Sequence, residues 1–459
     1  MKELPMRKLL MVVVITAGVL ACSKEQATRT VTKVENSAQK VASKVSDVWD
    51  AATPMGQDKV DRTAREQQRF DQQWRQLQSF NAQQAAEKQK ALAAQAAAQQ
   101  QATAQQQAAE QQAAKQREAE AQAAATMNLQ FAASGKDTFN GLDWSGINAA
   151  PIHIPITGDM AGPSVLKTQV YLDRAHFSVG ALDGRWGKNS AISVYTWQRG
   201  HGLPPTGDVD EATFRSIASA GGGGPALVQY QLTADDTKGP FVTIPESVYD
   251  KAKLPCLCYE SLKEALAEKF HLTQDFLDQL NPTVKFSDAK AGDSIVVPDV
   301  RAPMAADQVD IASIIVSVSG NSFNGLDSAG NVIFHAPTTL GNKYDPSPDE
   351  TVKVVGIARN PNFHYQPTLF HEVPDSDPEA QLNPGPNSPV GVVWMALSKP
   401  HFGIHGTGDP ESIGYASSHG CVRLANWDAF EVSHRIQKGV LVEFVDTKRG
   451  SGEVAQASK

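Results

Sequence analysis

Residues 57–125 contain neither glycine nor proline and consist largely of alanine, glutamine and charged side chains. In "QQAAEKQKALAAQAAAQQQATAQQQAAEQQAAKQREAEAQAAA" the dominant residues are strong helix formers, so the stretch predicts a long helix. Its apolar positions are mostly alanine without a sustained leucine heptad, which lends little support to a coiled coil. At 1.5 Å per residue a helix of this length reaches roughly 100 Å. Such a segment offers no face on which to build a core. It reads as a spacer, stiff where helical and otherwise a low-complexity linker. The compact domains of the 459-residue chain must be sought beyond it.

Ahead of the spacer, "MKELPMRKLLMVVVITAGVLAC" places Lys2, Arg7 and Lys8 before an apolar run from Leu9 to Ala21. The run is short for a bilayer span and has the proportions of a secretory signal. Val19-Leu20-Ala21-Cys22 resembles a bacterial lipobox, which implies a signal peptide at 1–21, lipidation of Cys22 and a tether at 22–56. An uncleaved anchor that happens to carry a cysteine is the plainer alternative. Serine rather than aspartate follows Cys22, which in Gram-negative lipoproteins implies the periplasmic face of the outer membrane. Two or more acyl chains would make the membrane a firm partner. The net charge of -8 argues against nucleic acid, because phosphate binding needs a basic face.

After a polar linker at 126–160, "VLKTQVYLDRAHFSVGALDGRWGKNSAISVYTWQRGHGLPPTGDVDEATFRSI" reads as three helices joined by turns. Ala191, Val194 and Trp197 give the middle helix an apolar face, with Asn189 as candidate N-cap. Asp210 and Glu211 suit the first turn of the third. The pattern Leu182-Asp183-Gly184-Arg185-Trp186-Gly187 with Trp197-Gln198 resembles the three-helix peptidoglycan-binding domain, here at 161–220. In so small a bundle Trp186 and Trp197 belong to the core rather than to a binding platform. "GGGG" at Gly221–Gly224 reads as a flexible joint within a linker at 221–240. Residues 241–301 then offer a helical face at Leu262, Ala265, Leu266 and Phe270, a helix capped by Thr273 and running through Leu280, and a short strand at Ser294–Pro298. They resemble a LysM-type βααβ module, a carbohydrate-backbone binder, though a scaffold docked on the next domain fits as well.

From Gln308 the periodicity changes. "VDIASIIVSVSG", "NVIFHAPTTL", "TVKVVGIARN", "VGVVWMAL" and "VLVEFV" are β-branched runs broken by turn residues, with one helix near 427–437 capped by Asn426 or Asp428 and closed by Gly439. The class is multidomain α+β, with a mostly antiparallel β domain at 305–447 and a tail at 448–459.

That domain holds the stretch with the most chemistry, "HFGIHGTGDPESIGYASSHGCVRLAN". A cysteine nucleophile needs a thiolate, a proton acceptor and oxyanion donors. His405 can supply the acceptor, the amides around Gly420 and Cys421 the donors, and Arg423 a planar fork for a carboxylate. Three alternatives stay open. His401, His405, His419 and Cys421 could bind zinc, although no H-E-x-x-H is present. Cys421 could pair with Cys256 or Cys258, or be a buried inert thiol. Cys256 and Cys258 are separated by one residue, too close for an unstrained bridge in an extended strand, and either pairing or two small buried side chains suits them.

His405 followed by Ser418-His419-Gly420-Cys421 resembles the motif of the L,D-transpeptidases (YkuD-like), and "VVGIARNPNF" extends the similarity. The resemblance implies a β-sandwich with the cysteine in a loop under a flap; the long loop "LFHEVPDSDPEAQLNPGPNSPV" is the candidate flap. It implies Cys421 as nucleophile and His405 as base, its ring oriented by the Gly406 carbonyl. His419 and Gly420 would shape the nucleophile turn and oxyanion donors, and Ser418 and Arg423 would contact substrate. No cofactor or metal is implied. The substrate would be a peptidoglycan tetrapeptide stem, acylating Cys421 through its third residue with release of D-alanine, before transfer to an amine on another stem or on a lipoprotein. Water as acceptor would make the protein an L,D-carboxypeptidase, and a vestigial site would leave a wall-binding tether.

Overall fold

The computed structural model describes residues 90, 93–94, 129–133, 137–302, 309–370 and 372–446. The leader at 1–21, Cys22, the tether at 22–56 and the tail at 448–459 lie outside the described residues, as does nearly all of the spacer, in which Lys90, Ala93 and Ala94 are helical. The chain divides into two units, 1–99 and 100–459, and every strand of the described residues belongs to the second.

That unit opens with β1 (Phe131–Ala133), α1 (Trp144–Ala149) and β2 (Ile152–Ile154), the two strands pairing in parallel. Helices α2 (Pro163–Arg174), α3 (Lys188–Gly200) and α4 (Glu211–Ala220) form the three-helix bundle that the sequence predicts. Trp197 is buried in its core and Trp186 packs at the edge. Asp210 caps α4 by accepting from the Thr213 amide. Asn189 does not cap α3: the N-cap is Gly187, and the Asn189 amide instead donates to the Ile413 carbonyl at 2.9 Å. A long-range partner has taken the side chain.

The glycine run is packed rather than a free joint. A Cβ on Gly221 would collide with the Tyr171 backbone, Tyr171 Oη donates to the Gly224 carbonyl at 2.6 Å, and Arg174 Nη1 donates to Gly223 at 2.6 Å. With φ near +73°, +56° and +76° at Gly222, Gly223 and Gly224, the run is a left-handed turn that glycine alone adopts cheaply.

It leads into β3 (Leu227–Gln231), which lies within the stretch expected to be linker. Next come α5 (Val248–Lys251), α6 (Leu262–Lys269), α7 (Gln274–Leu280) and β4 (Ser294–Pro298), with β3 and β4 antiparallel. Thr273 caps α7 through the Phe276 amide. Leu266, Phe276, Leu277 and Val297 bury themselves in one core with Leu172, Trp197 and Phe214 of the bundle. The two small modules therefore fold around shared apolar residues.

The remaining strands are β5 (Ser313–Ser317), β6 (Ser322–Leu326), β7 (Val332–Pro337), β8 (Val352–Arg359), β9 (Phe363–Tyr365), β10 (Ala380–Leu382), β11 (Val393–Leu397), β12 (Gly403–His405), β13 (Val422–Arg423) and β14 (Leu441–Val445); α8 (Asn426–Arg435) precedes β14. Eight strands form one curled sheet in the order β13-β12-β11-β8-β14-β5-β6-β7, whose two halves share one apolar core. Pairing is antiparallel except at β12–β13 and β14–β5. Alternation sets the inner face: Ile314 and Val316 of β5 and Val393, Met395 and Leu397 of β11 are buried. Helix α8 packs Ala429 and Val432 into this core. Neither expected cap serves it, because Ala425 occupies the N-cap. The helix stops at Arg435, before Gly439.

The candidate flap contributes β10, which pairs with β9 outside the main sheet. Leu382 and Ala380 bury against Leu257, and the chain at 383–387 is tied to the 254–258 loop by four hydrogen bonds: Leu257 N to Pro384 O, Asn387 N to Leu257 O, Asn383 Nδ2 to Leu254 O and Asn387 Nδ2 to Cys258 O. Within that loop Cys256 and Cys258 are joined by a disulfide, their Cα atoms 5.2 Å apart. An irregular loop, not a strand, carries the pair.

Candidate active site

Strand β12 ends at His405 and runs parallel to the short β13, with His405 opposite Arg423. This pairing brings the two ends of a long loop together and seats Cys421 one residue before the second strand. His405, Ser418, His419, Cys421 and Arg423 line one cavity of about 1010 Å³. Its far wall comes from β9 and from Val248 and Lys251 of α5, outside the catalytic domain.

The nucleophile turn is held from both sides. Ser418 Oγ donates to the Cys421 carbonyl at 2.7 Å and accepts from the Gly420 amide at 3.2 Å, so that amide is occupied within the turn. Ser347 Oγ donates to the Gly420 carbonyl at 2.9 Å. Gly420 has φ +98°, and a Cβ there would strike the Phe402 ring. The thiol itself points to the His401 carbonyl, 3.7 Å away. Burial pushes its pKa up, while the Gly403 backbone and Arg423 pull the other way.

His405 is buried, stacks on Trp394 and places Nδ1 2.7 Å from the Gly406 carbonyl. A carbonyl can only accept, so Nδ1 carries the proton and Nε2 keeps the lone pair. Burial, reinforced by the Arg423 charge, lowers the imidazole pKa to about 4. At neutral pH the ring is an uncharged base with its tautomer fixed. His419 takes another part: Nε2 meets Glu372 Oε1 at 2.6 Å and the ring stands edge-on to Phe370, so it ties the nucleophile turn to the candidate flap. Arg423 is partly buried, and its Nε has no hydrogen-bond partner.

Cys421 is the free cysteine among the described residues. No group of three or more His, Cys, Asp or Glu among them is placed to hold a metal ion. Sequence reasoning missed Trp394, whose place opposite His405 depends on strand register, and Ser347, which lies in a turn with no motif of its own.

Two family descriptions match the chain: "L,D-transpeptidase catalytic domain" (YkuD) over residues 312–444 and "Putative peptidoglycan binding domain" over 161–217. The chain is 31% identical over 179 residues to the "Putative L,D-transpeptidase YkuD" of Bacillus licheniformis, covering 39% of this chain and 90% of that protein. To its namesake from Bacillus subtilis it is 28% identical over 178 residues, covering 39% and 90%. Among solved structures, L,D-transpeptidase 3 from Mycobacterium tuberculosis aligns at 16% identity and a TM-score of 0.25, over 34% of this chain and 76% of that one. With a relative matched along nine-tenths of its length and a family domain spanning the strands that carry His405 and Cys421, the chain belongs to the YkuD family of L,D-transpeptidases.

Proposed function

We propose that Cys421 attacks the carbonyl of the third residue, a diamino acid, in a peptidoglycan tetrapeptide stem. His405 Nε2 takes the thiol proton and returns it to the departing D-alanine amine, leaving a thioester that an amine on a second stem resolves into a cross-link. The observation that carries this reading is the Nδ1–Gly406 hydrogen bond beside a free thiol in one cavity, because it leaves His405 with its lone pair available as a neutral base. Since the Gly420 amide is already engaged by Ser418, the Cys421 amide is the oxyanion donor in this reading. Arg423, which lines the cavity, offers its charge to a stem carboxylate. A lipoprotein amine could replace the second stem, and water would give the carboxypeptidase outcome.

The protein is a transpeptidase carrying a peptidoglycan-binding domain, which raises the local concentration of substrate. The LysM-like module would add glycan binding. Its cavity of about 600 Å³, between Ser261–Lys263 and the 284–289 loop, has the size for a sugar. Lipidated Cys22 and the alanine-rich spacer would deliver these domains from the inner leaflet of the outer membrane to the wall.

Incubating the purified enzyme with tetrapeptide stems is expected to release D-alanine and yield dimers linked between third residues. Muropeptide profiles unchanged by active-site-titrated enzyme would overturn the reading. The pH profile tests the base. A protonated imidazole cannot take the thiol proton, so activity is present above the folded pKa and lost below it. Acylation is expected to hold down to about pH 5 and to fall toward a midpoint near 4. A midpoint at the ordinary histidine value of 6.5 would show a ring open to solvent.

A further inference from the structure

We infer that Glu268, on a helix outside the catalytic domain, is a positioning residue for His405, acting through Asn426 and the Gly406 backbone. The inference rests on the reading of His405 as the base.

The chain of contacts is continuous. Asn426 is the first residue of α8 and 1% exposed, yet its side chain does not cap the helix. Its Nδ2 donates to both carboxylate oxygens of Glu268, at 3.1 and 3.0 Å, and to the Pro386 carbonyl at 3.1 Å. Its Oδ1 accepts from the Val392 amide at 3.1 Å. That oxygen also occupies the space where a Cβ on Gly406, or on Gly391, would lie. Gly406 is thus glycine because the carboxamide is pressed against its Cα, and its carbonyl is the group that fixes the His405 tautomer at 2.7 Å. Val393, next to the residue that Asn426 holds, accepts from the Gly406 amide at 3.2 Å. The carboxamide therefore packs directly against Gly406 and holds Val392, the residue next to the one that the Gly406 amide bonds to.

Glu268 in turn is half-buried with its carboxylate turned inward, where Tyr259 Oη donates to Oε1 at 2.7 Å. Burial lifts its pKa to about 7 despite these donors. A carboxyl group placed in so unfavourable a setting needs a partner that uses it, and Asn426 is that partner. The carboxamide cannot rotate without leaving Glu268 Oε2 and the Val392 amide short of their partner. The module that α6 belongs to therefore supplies rigidity to the base as well as docking surface.

The test compares Glu268→Ala, Glu268→Gln and Tyr259→Phe in the full chain, reading single-turnover acylation, KM and the melting temperature. Glu268→Ala is expected to slow acylation ~10–100-fold with KM within ~2-fold of wild type, since a loosened carbonyl misplaces the base and not the substrate. Glu268→Gln keeps one acceptor for Asn426 and is expected to recover most of the rate. Tyr259→Phe, which removes no acceptor, keeps the test valid should Glu268→Ala fail to fold; it is expected to slow acylation by a few-fold. If Glu268→Ala acylates at the wild-type rate, or loses only melting temperature or KM, the positioning role is wrong while the base stands. Should His405→Ala itself acylate at the wild-type rate, the reading beneath it fails and the inference goes too.

Discussion

Cys421→Ala is expected to lose acyl-enzyme formation entirely: intact-protein mass spectrometry after carbapenem treatment should show a covalent adduct on the wild type and none on the variant. The neighbouring hydroxyl does not replace the thiol, since Ser418 Oγ is engaged by the Cys421 carbonyl and the Gly420 amide. The expected loss in turnover exceeds about four orders of magnitude, as for removal of a covalent nucleophile elsewhere. His405→Ala is expected to slow acylation less, by ~10²–10⁴-fold, because a thiol retains some attack without a positioned base. Non-reducing conditions keep Cys256 and Cys258 joined, so the adduct should map by peptide digestion to the segment containing Cys421. An adduct that survives in Cys421→Ala, or maps to Cys22, would place the chemistry elsewhere.

That His405 and Cys421 would share one cavity was legible because the signal is local. Histidine, then Ser-His-Gly-Cys sixteen residues to the cysteine, reports a loop closed by β12 and β13. The three-helix pattern, the acidic start of the third helix, the Thr273 cap and the Ser294–Pro298 strand were legible for the same reason. What failed involved partners far away in the chain. Asn189 and Asn426 look like caps, since a cap is the best use of asparagine within four residues. Each found a better use more than a hundred residues away, in Ile413 and in Glu268. Asp428 likewise left the helix end for Arg301 and Ser178. The two halves of the curled sheet join through one pairing, β8 with β14, which local periodicity does not encode. The glycine run was misread because a flexible joint and a tightly packed left-handed turn demand the same residue.

The partner that Asp428 finds, Arg301, ties together a wider cluster, and Arg301→Met is expected to destabilise the described unit by about 3–5 kcal/mol. The guanidinium is buried among carboxylates from two domains: it pairs with Asp173 of α2, reaches Asp428 Oδ1 at 2.5 Å and meets Glu431 Oε2 at 2.8 Å, both of α8. Arg435 Nη1 at 2.6 Å also serves Glu431, and His271 Nδ1 at 2.9 Å also serves Asp173, so Asp428 has the least other support. Burial already raises the Asp428 pKa to about 7. Arg301 holds Glu431 down to about 2 and Asp173 well below the carboxylate range, against their burial. These two contribute stability above their unfolded pKa values near 4 that is lost as pH falls through the folded ones. Methionine fills the volume but leaves the charges uncompensated, so the folded pKa values of all three carboxylates rise. The deficit should be greatest at neutral pH and shrink as acid neutralises them, with Asp428→Asn in the same chain restoring part of the loss. Urea unfolding of the wild type, the variant and the pair at neutral and mildly acidic pH reads this directly. A deficit below about 1 kcal/mol, or one independent of pH, would mean that the modules are held by their apolar core and that the cluster adds nothing to their union.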